Sequence, residues 1–122
     1  MAQQGDDRRR HHRFQCGGEA EIRSLSSGIY MRGRVGNLSL SGCLIHLGDG
    51  DCFRQAEAVE MTFCVRQLPV RVQGSVRQGH PGQAIGVEFT MLSERGKRQL
   101  RELIVELDEI RRDQIETRAP TR

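Results

Sequence analysis

From Glu19 onward the chain alternates apolar and polar residues in short runs, the period-two signature of strands with one face buried. Glu19 to Leu25 sets Ala20 and Ile22 against Glu21 and Arg23, and Ser26-Ser27-Gly28 closes the run with a turn. Ile29 to Leu38 is predicted as a second strand and Gly42 to Leu47 as a third. Gly48-Asp49-Gly50-Asp51 opens a loop. Ala58 to Val65 then forms a fourth strand with Val59, Met61, Phe63 and Val65 on one face. Gln67-Leu68-Pro69 marks a hairpin connection into a fifth strand, Leu68 to Arg77, whose Val70, Val72 and Val76 point inward. Gly79-His80-Pro81-Gly82 reads as a turn, and Ala84 to Thr90 as the sixth strand.

The period changes at Ser93. Ser93 is an N-cap type, Glu94 suits the positive end of a helix dipole, and Leu100, Leu103, Ile104, Leu107 and Ile110 recur at three- and four-residue steps. The pattern predicts a mainly β fold: a six-stranded antiparallel β-barrel with one C-terminal amphipathic helix packed on it. The expected organisation is a flexible N-terminal arm over residues 1–16, a barrel over 17–92, a helix over 93–112 and a tail over 113–122.

Composition bounds this picture. At 122 residues the chain holds one domain, and with no Trp and one Tyr its core must rest on Val, Leu, Ile and a few Phe. No apolar run approaches the roughly 18–20 residues of a membrane span, and Met1 to Asp7 lacks the apolar stretch of a secretory signal. A cytoplasmic protein without a membrane span is expected. Cys16, Cys43, Cys52 and Cys64 form no C-x-x-C pair, so they are expected to be reduced, with Cys43 and Cys64 as small apolar strand residues. His11-His12 lies among arginines that repel a cation, and His46 and His80 offer no ligand spacing, so no metal is expected. No nucleophile–base order or phosphate-cradling glycine loop is present, and Glu102, Glu106 and Asp108-Glu109 read as the wet side of the helix. No catalytic residue and no enzyme activity are expected.

Charge is more informative than the other composition figures. The net charge is only +3, but all 19 basic residues except Lys97 are arginine. Arg8-Arg9-Arg10-His11-His12-Arg13 concentrates guanidinium groups, and Asn37-Leu38-Ser39-Leu40-Ser41-Gly42 brings an amide, a hydroxyl and a glycine to a strand end. Polymeric nucleic acid is not the expected partner, since the basic run is short and Tyr30, Phe63 and Phe89 are too scattered for a stacking platform. The two stretches together suggest a site for a flat, anionic, guanine-like ligand, because arginine forks onto guanine or phosphate oxygens and stacks on a base. Taken singly, Asn37 and Ser39 read as turn residues, Gly42 as a bulge and the arginines as a solubilising arm.

The spacing Arg-x-x-x-Arg occurs once in the cluster, at Arg9 and Arg13, and Asn37, Ser39 and Gly42 fit Asn/Asp-x-Ser-x-x-Gly. In this order, ahead of Ile85-Gly86-Val87-Glu88-Phe89 and a closing helix, these elements resemble the PilZ domain, the bacterial receptor module for cyclic di-GMP, over residues 8–110. The resemblance implies a barrel whose arm folds over the ligand. Arg9 and Arg13 would fork onto guanine O6/N7 or phosphate, and Asn37, where many relatives carry Asp, would accept from a guanine N–H. Ser39 would meet the base edge or phosphate, and Gly42 would let backbone approach the ligand or take positive φ. Arg8, immediately before the motif, implies an intercalated pair of ligand molecules, while Arg10 either contacts phosphate or is solvated. His12 reads as a solvent-facing or packing residue and Arg77 as a solvated strand end. The implied function is a second-messenger receptor that needs no other cofactor and signals to an unidentified protein in trans. The alternative is a PilZ-like adaptor that acts without ligand.

Overall fold

The computed structural model describes residues 11–48, 53–80 and 84–118, so Arg8, Arg9, Arg10 and Cys52 lie outside the described residues. The strands are β1 (Phe14–Gln15), β2 (Glu19–Ser24), β3 (Tyr30–Leu38), β4 (Gly42–Leu47), β5 (Ala58–Val65), β6 (Leu68–His80) and β7 (Ala84–Met91). A single helix, α1 (Glu94–Arg118), follows them. All strand pairings are antiparallel, in the order β1-β3-β2-β5-β6-β7-β4, and β3 also pairs with β4. That last pairing closes β2 to β7 into the six-stranded barrel, and β1 pairs with the end of β3 along the edge that β2 occupies further back.

Alternation in the sequence becomes alternation across the barrel wall. Ile22, Val35, Ile45, Val59, Met61, Phe63, Val65, Val70, Val72, Val76, Ile85 and Val87 are buried in one core. Phe63 and Phe89 stack within it at a centroid distance of 6.1 Å. Burying each such side chain contributes on the order of 1.5–3 kcal/mol, so the interior supplies most of the driving force.

Two boundaries differ from the pattern reading by more than one residue. Gly79 and His80 belong to β6, because Gly79 pairs with Ile85 and His80 with Ala84 across to β7. The strand therefore runs into the Gly-His-Pro-Gly stretch, whose Pro81 and Gly82 lie outside the described residues, and Arg77 lies inside a strand, at a bulge between Val76 and Gln78. The helix starts as expected, with the Ser93 hydroxyl accepting from the Gly96 N–H at 3.0 Å. It continues to Arg118 rather than ending near residue 112. Asp108 pairs with Arg111 at 3.0 Å and with Arg112 at 3.1 Å along the helix, and no breaker intervenes before Pro120.

Leu100, Leu103 and Leu107 pin the helix by burying its stripe, and α1 packs against β6 and β1. Arg66 in the β5–β6 hairpin donates to Glu106 at 2.6 Å, adding a polar tie between helix and barrel end. Both hairpin residues, Arg66 (φ 52°) and Gln67 (φ 68°), sit in the left-handed region that a two-residue turn of this hand requires. No helix among the described residues is long and apolar enough to cross a membrane.

Candidate ligand-binding site

The second motif stretch joins β3 to β4 and is held by its own hydrogen bonds. The Ser39 N–H donates to the Gly42 carbonyl at 2.8 Å. The Ser39 hydroxyl oxygen accepts from the Ser41 and Gly42 N–H groups, each at 3.2 Å. Its proton has the Gly42 carbonyl at 3.3 Å or the Ser41 hydroxyl at 3.2 Å. Ser39 is buried, so these contacts use its bonding capacity within the turn. The loop is anchored further where the Phe89 N–H donates to the Ser41 carbonyl at 2.8 Å.

Gly42 is required by the neighbouring strand. A side chain there would run into the Val87 carbonyl of β7, and its φ lies outside the left-handed region. The expectation of positive φ at Gly42 therefore gives way to a close approach between β4 and β7.

β1 places the end of the arginine cluster. Phe14 pairs with Leu38 and Gln15 with Asn37, and the Cys16 N–H donates to the Gly36 carbonyl at 3.1 Å in the same register. Arg13 immediately precedes this short ladder and Ser39 immediately follows β3, so the two lie at the same end of the strand. Phe14 and Leu38 are buried, so Gln15, Asn37 and the exposed Arg13 belong to the outer face. The exposed His12 ring packs edge-on against Phe14 at 4.6 Å. The structure thus brings Arg13, Asn37, Ser39 and Gly42 to one end of β3, while Arg8, Arg9 and Arg10 lie outside the described residues.

The outer face around them has low relief. The register shifts between Val35 and Asn37, so Gly36 is the extra residue of a bulge. Leu44 pairs with Asn37 on one side and with Gly86 on the other, giving a floor of one half-buried leucine beside side-chain-free positions. Arg77 and Glu88 form an ion pair at 3.3 Å along the β7 margin.

Arg34 pairs directly with His46 on the opposite margin, and both are exposed. Sequence reasoning passed over these two. Residues 34 and 37 face opposite ways in a regular strand, and only the glycine between them hinted at a bulge.

Beside this face, between β2, β3 and β5, lies a groove of about 530 Å³ whose lining includes Glu19, Glu21, Arg32, Arg34 and Cys64. Its two carboxylates are balanced by its two guanidinium groups. Cys64 faces outward there rather than into the core, whereas Cys43 is buried. Burial pushes the Cys16 thiol up to about 11, and burial with the nearby Cys16 raises Cys43, so both stay protonated near neutral pH and are poor nucleophiles. Among the described residues no group of three or more His, Cys, Asp or Glu side chains is placed to hold a metal ion.

A family model for the PilZ domain matches residues 7–106. The chain belongs to the PilZ domain family. Solved structures agree on the PilZ fold. The PilZ domain of YcgR from Escherichia coli, solved with c-di-GMP, superposes with a TM-score of 0.71 at 17% identity, covering 89% of this chain and 98% of that one. YcgR of Escherichia coli in complex with c-di-GMP gives 0.74 at 18% identity, covering 90% of this chain and 50% of that one. The Bacillus subtilis inhibitor of motility (MotI/DgrA) gives 0.67 at 18% identity, with 92% and 54% covered. This PilZ chain therefore spans about half the length of the latter two proteins. No curated protein sequence matches it.

Proposed function

We propose that this PilZ chain is a c-di-GMP receptor that acts in the bacterial cytoplasm and signals to a partner protein in trans. The observation that carries the reading is the β1–β3 register, which pairs Gln15 with Asn37 and Phe14 with Leu38 and so brings the end of the arginine cluster to the end of β3 where the second motif lies. Arg9 and Arg13 supply forked donors to guanine O6/N7 or to phosphate, each good bidentate contact contributing about 1–3 kcal/mol. Asn37 offers its amide oxygen to a guanine N–H. Ser39 and Gly42 contribute by fixing the turn that presents Asn37, and the Ser41 and Gly42 backbone lies at the same rim. Arg8 and Arg10 close over the phosphates, Arg8 favouring an intercalated pair of ligand molecules. The solved YcgR structures with c-di-GMP, which share this fold, support the choice of ligand. Drawing the segment that carries the arginines onto the barrel changes the exposed charge and shape of this end, and that change is the output.

Isothermal titration of the full chain with c-di-GMP tests the reading. Binding is expected, with two ligand molecules per chain, and it should collapse in Arg9→Ala or Arg13→Ala; binding that survives both changes removes the mechanism. One observation favours a second reading, a ligand-independent adaptor: Ser39 and Gly42 are both accounted for by the turn and by β7. A null titration of a folded, unsubstituted chain would select that reading.

A further inference from the structure

We infer that Arg34 and His46 form a further part of the ligand face, a wall against which one purine ring of the ligand stacks. The inference rests on the receptor reading above and deepens it. Strand geometry supplies the first argument. Arg34 and Asn37 are three residues apart, which in a regular strand puts them on opposite faces. The extra residue at Gly36 restores the phase. Val35 and Leu38 both point into the core, and Arg34 and Asn37 both point out. His46 is directly opposite Arg34 on β4, and its neighbours Ile45 and Leu47 are buried, so His46 shares that outer face.

The side chains then lie where a flat ligand would meet them. The His46 imidazole packs over Gly36, occupying the space a side chain there would need, which brings the ring beside Asn37. The Arg34 guanidinium reaches the other way, with one terminal nitrogen 3.6 Å from where a Cβ on Gly17 would sit. It therefore flanks the segment that leads back to β1 and Arg13. Glu19 stands opposite Arg34 on β2, yet no ion pair between them is present among the described residues. By contrast Arg23, Arg66, Arg71 and Arg77 on the same barrel are each matched with a carboxylate. Imidazole and guanidinium are both planar, and both stack on purines; the guanidinium adds attraction for the phosphates. Neither residue belongs to the Arg-x-x-x-Arg or Asn-x-Ser-x-x-Gly pattern.

The test uses the full chain, c-di-GMP and two readouts. In isothermal titration, Arg34→Ala and His46→Ala should each weaken binding about tenfold without moving the unfolding midpoint, and His46→Phe, which keeps a flat ring, should bind as the unsubstituted chain does. In proton NMR of the unsubstituted chain, the His46 ring resonances should move upfield on adding c-di-GMP, as ring-current shielding beneath a purine requires. Unchanged affinity in both alanine variants, or His46 resonances that do not shift at saturation, overturns this inference and leaves the receptor reading standing. No binding to the unsubstituted chain overturns both together.

Discussion

The two sides of the barrel treat charge in opposite ways. On the β2–β5–β6 side the outer face is crossed by internal pairs: Glu60 bridges Arg23 at 2.5 Å and Arg71 at 2.9 Å, and Glu57 accepts from the Arg54 N–H at 2.7 Å. On the β1–β3–β4 side, side-chain-free positions and Leu44 form the floor, and Arg34 and Arg13 make no ion pair among the described residues. Arginines that neutralise carboxylates within the fold have little left for an external anion. Those without such a partner keep their full attraction for one. One side thus spends its charges within the barrel, and the other leaves Arg13 and Arg34 without a carboxylate partner among the described residues.

The largest effect expected is on the open side. Removing both motif guanidinium groups in Arg9→Ala/Arg13→Ala takes away about 2–6 kcal/mol of c-di-GMP binding, a loss of thirtyfold or more by titration, while the unfolding midpoint stays put. Gly42→Val drives a side chain into the Val87 carbonyl at the β4–β7 seam and should destabilise the chain by about 1–3 kcal/mol in urea unfolding. Ligand affinity should fall with it, since the turn moves. Ser39→Ala leaves the Ser41 and Gly42 N–H groups without their acceptor, costing about 1–2 kcal/mol of stability with only a secondary loss of binding. Binding that vanished with no change in stability would instead make Ser39 a direct contact.

The smallest effect probes the closed side. Arg71 first, then Arg23, holds the Glu60 carboxyl below the usual glutamate range. The unfolded chain therefore takes up a proton at higher pH than the folded one. The stability this carboxylate contributes is present above about pH 4.3 and is lost as pH falls through the folded value. Arg71 and Arg23 are largely exposed, which limits the contribution to under about 1 kcal/mol. Glu60→Gln should flatten the acid limb of the stability profile slightly and leave c-di-GMP titration unchanged; a tenfold change in affinity would erase the distinction between the two sides.

Much of the barrel was legible because inward and outward residues alternate strictly in β2, β4 and β5, and the helix start because Ser93 caps it. What escaped the sequence has physical reasons. β1 is two residues long, too short for any period to register, and it forms through pairing with β3 rather than through its own composition. The last residues of β6 look like a turn by residue type, but pairing with β7 overrides that preference. The end of the helix was obscured by a polar stretch that intrahelical pairs around Asp108 stabilise. In the candidate site, spacing exposed the motif positions but could not tell a ligand contact from a turn-builder, which is the role the hydrogen bonds give Ser39. Arg34 and His46 were invisible because each becomes a neighbour of Asn37 only through the bulge.

Gly36 also makes this face sensitive to residue count in one direction. Strand parity is binary: excising that one residue would leave Arg34 and Asn37 two positions apart in a regular strand and still on the same side of the wall, whereas adding one residue would send them to opposite sides with every side chain of the face still in the sequence. Homologous chains that keep both motifs but carry one residue more at this point would hold the same letters and present a different surface.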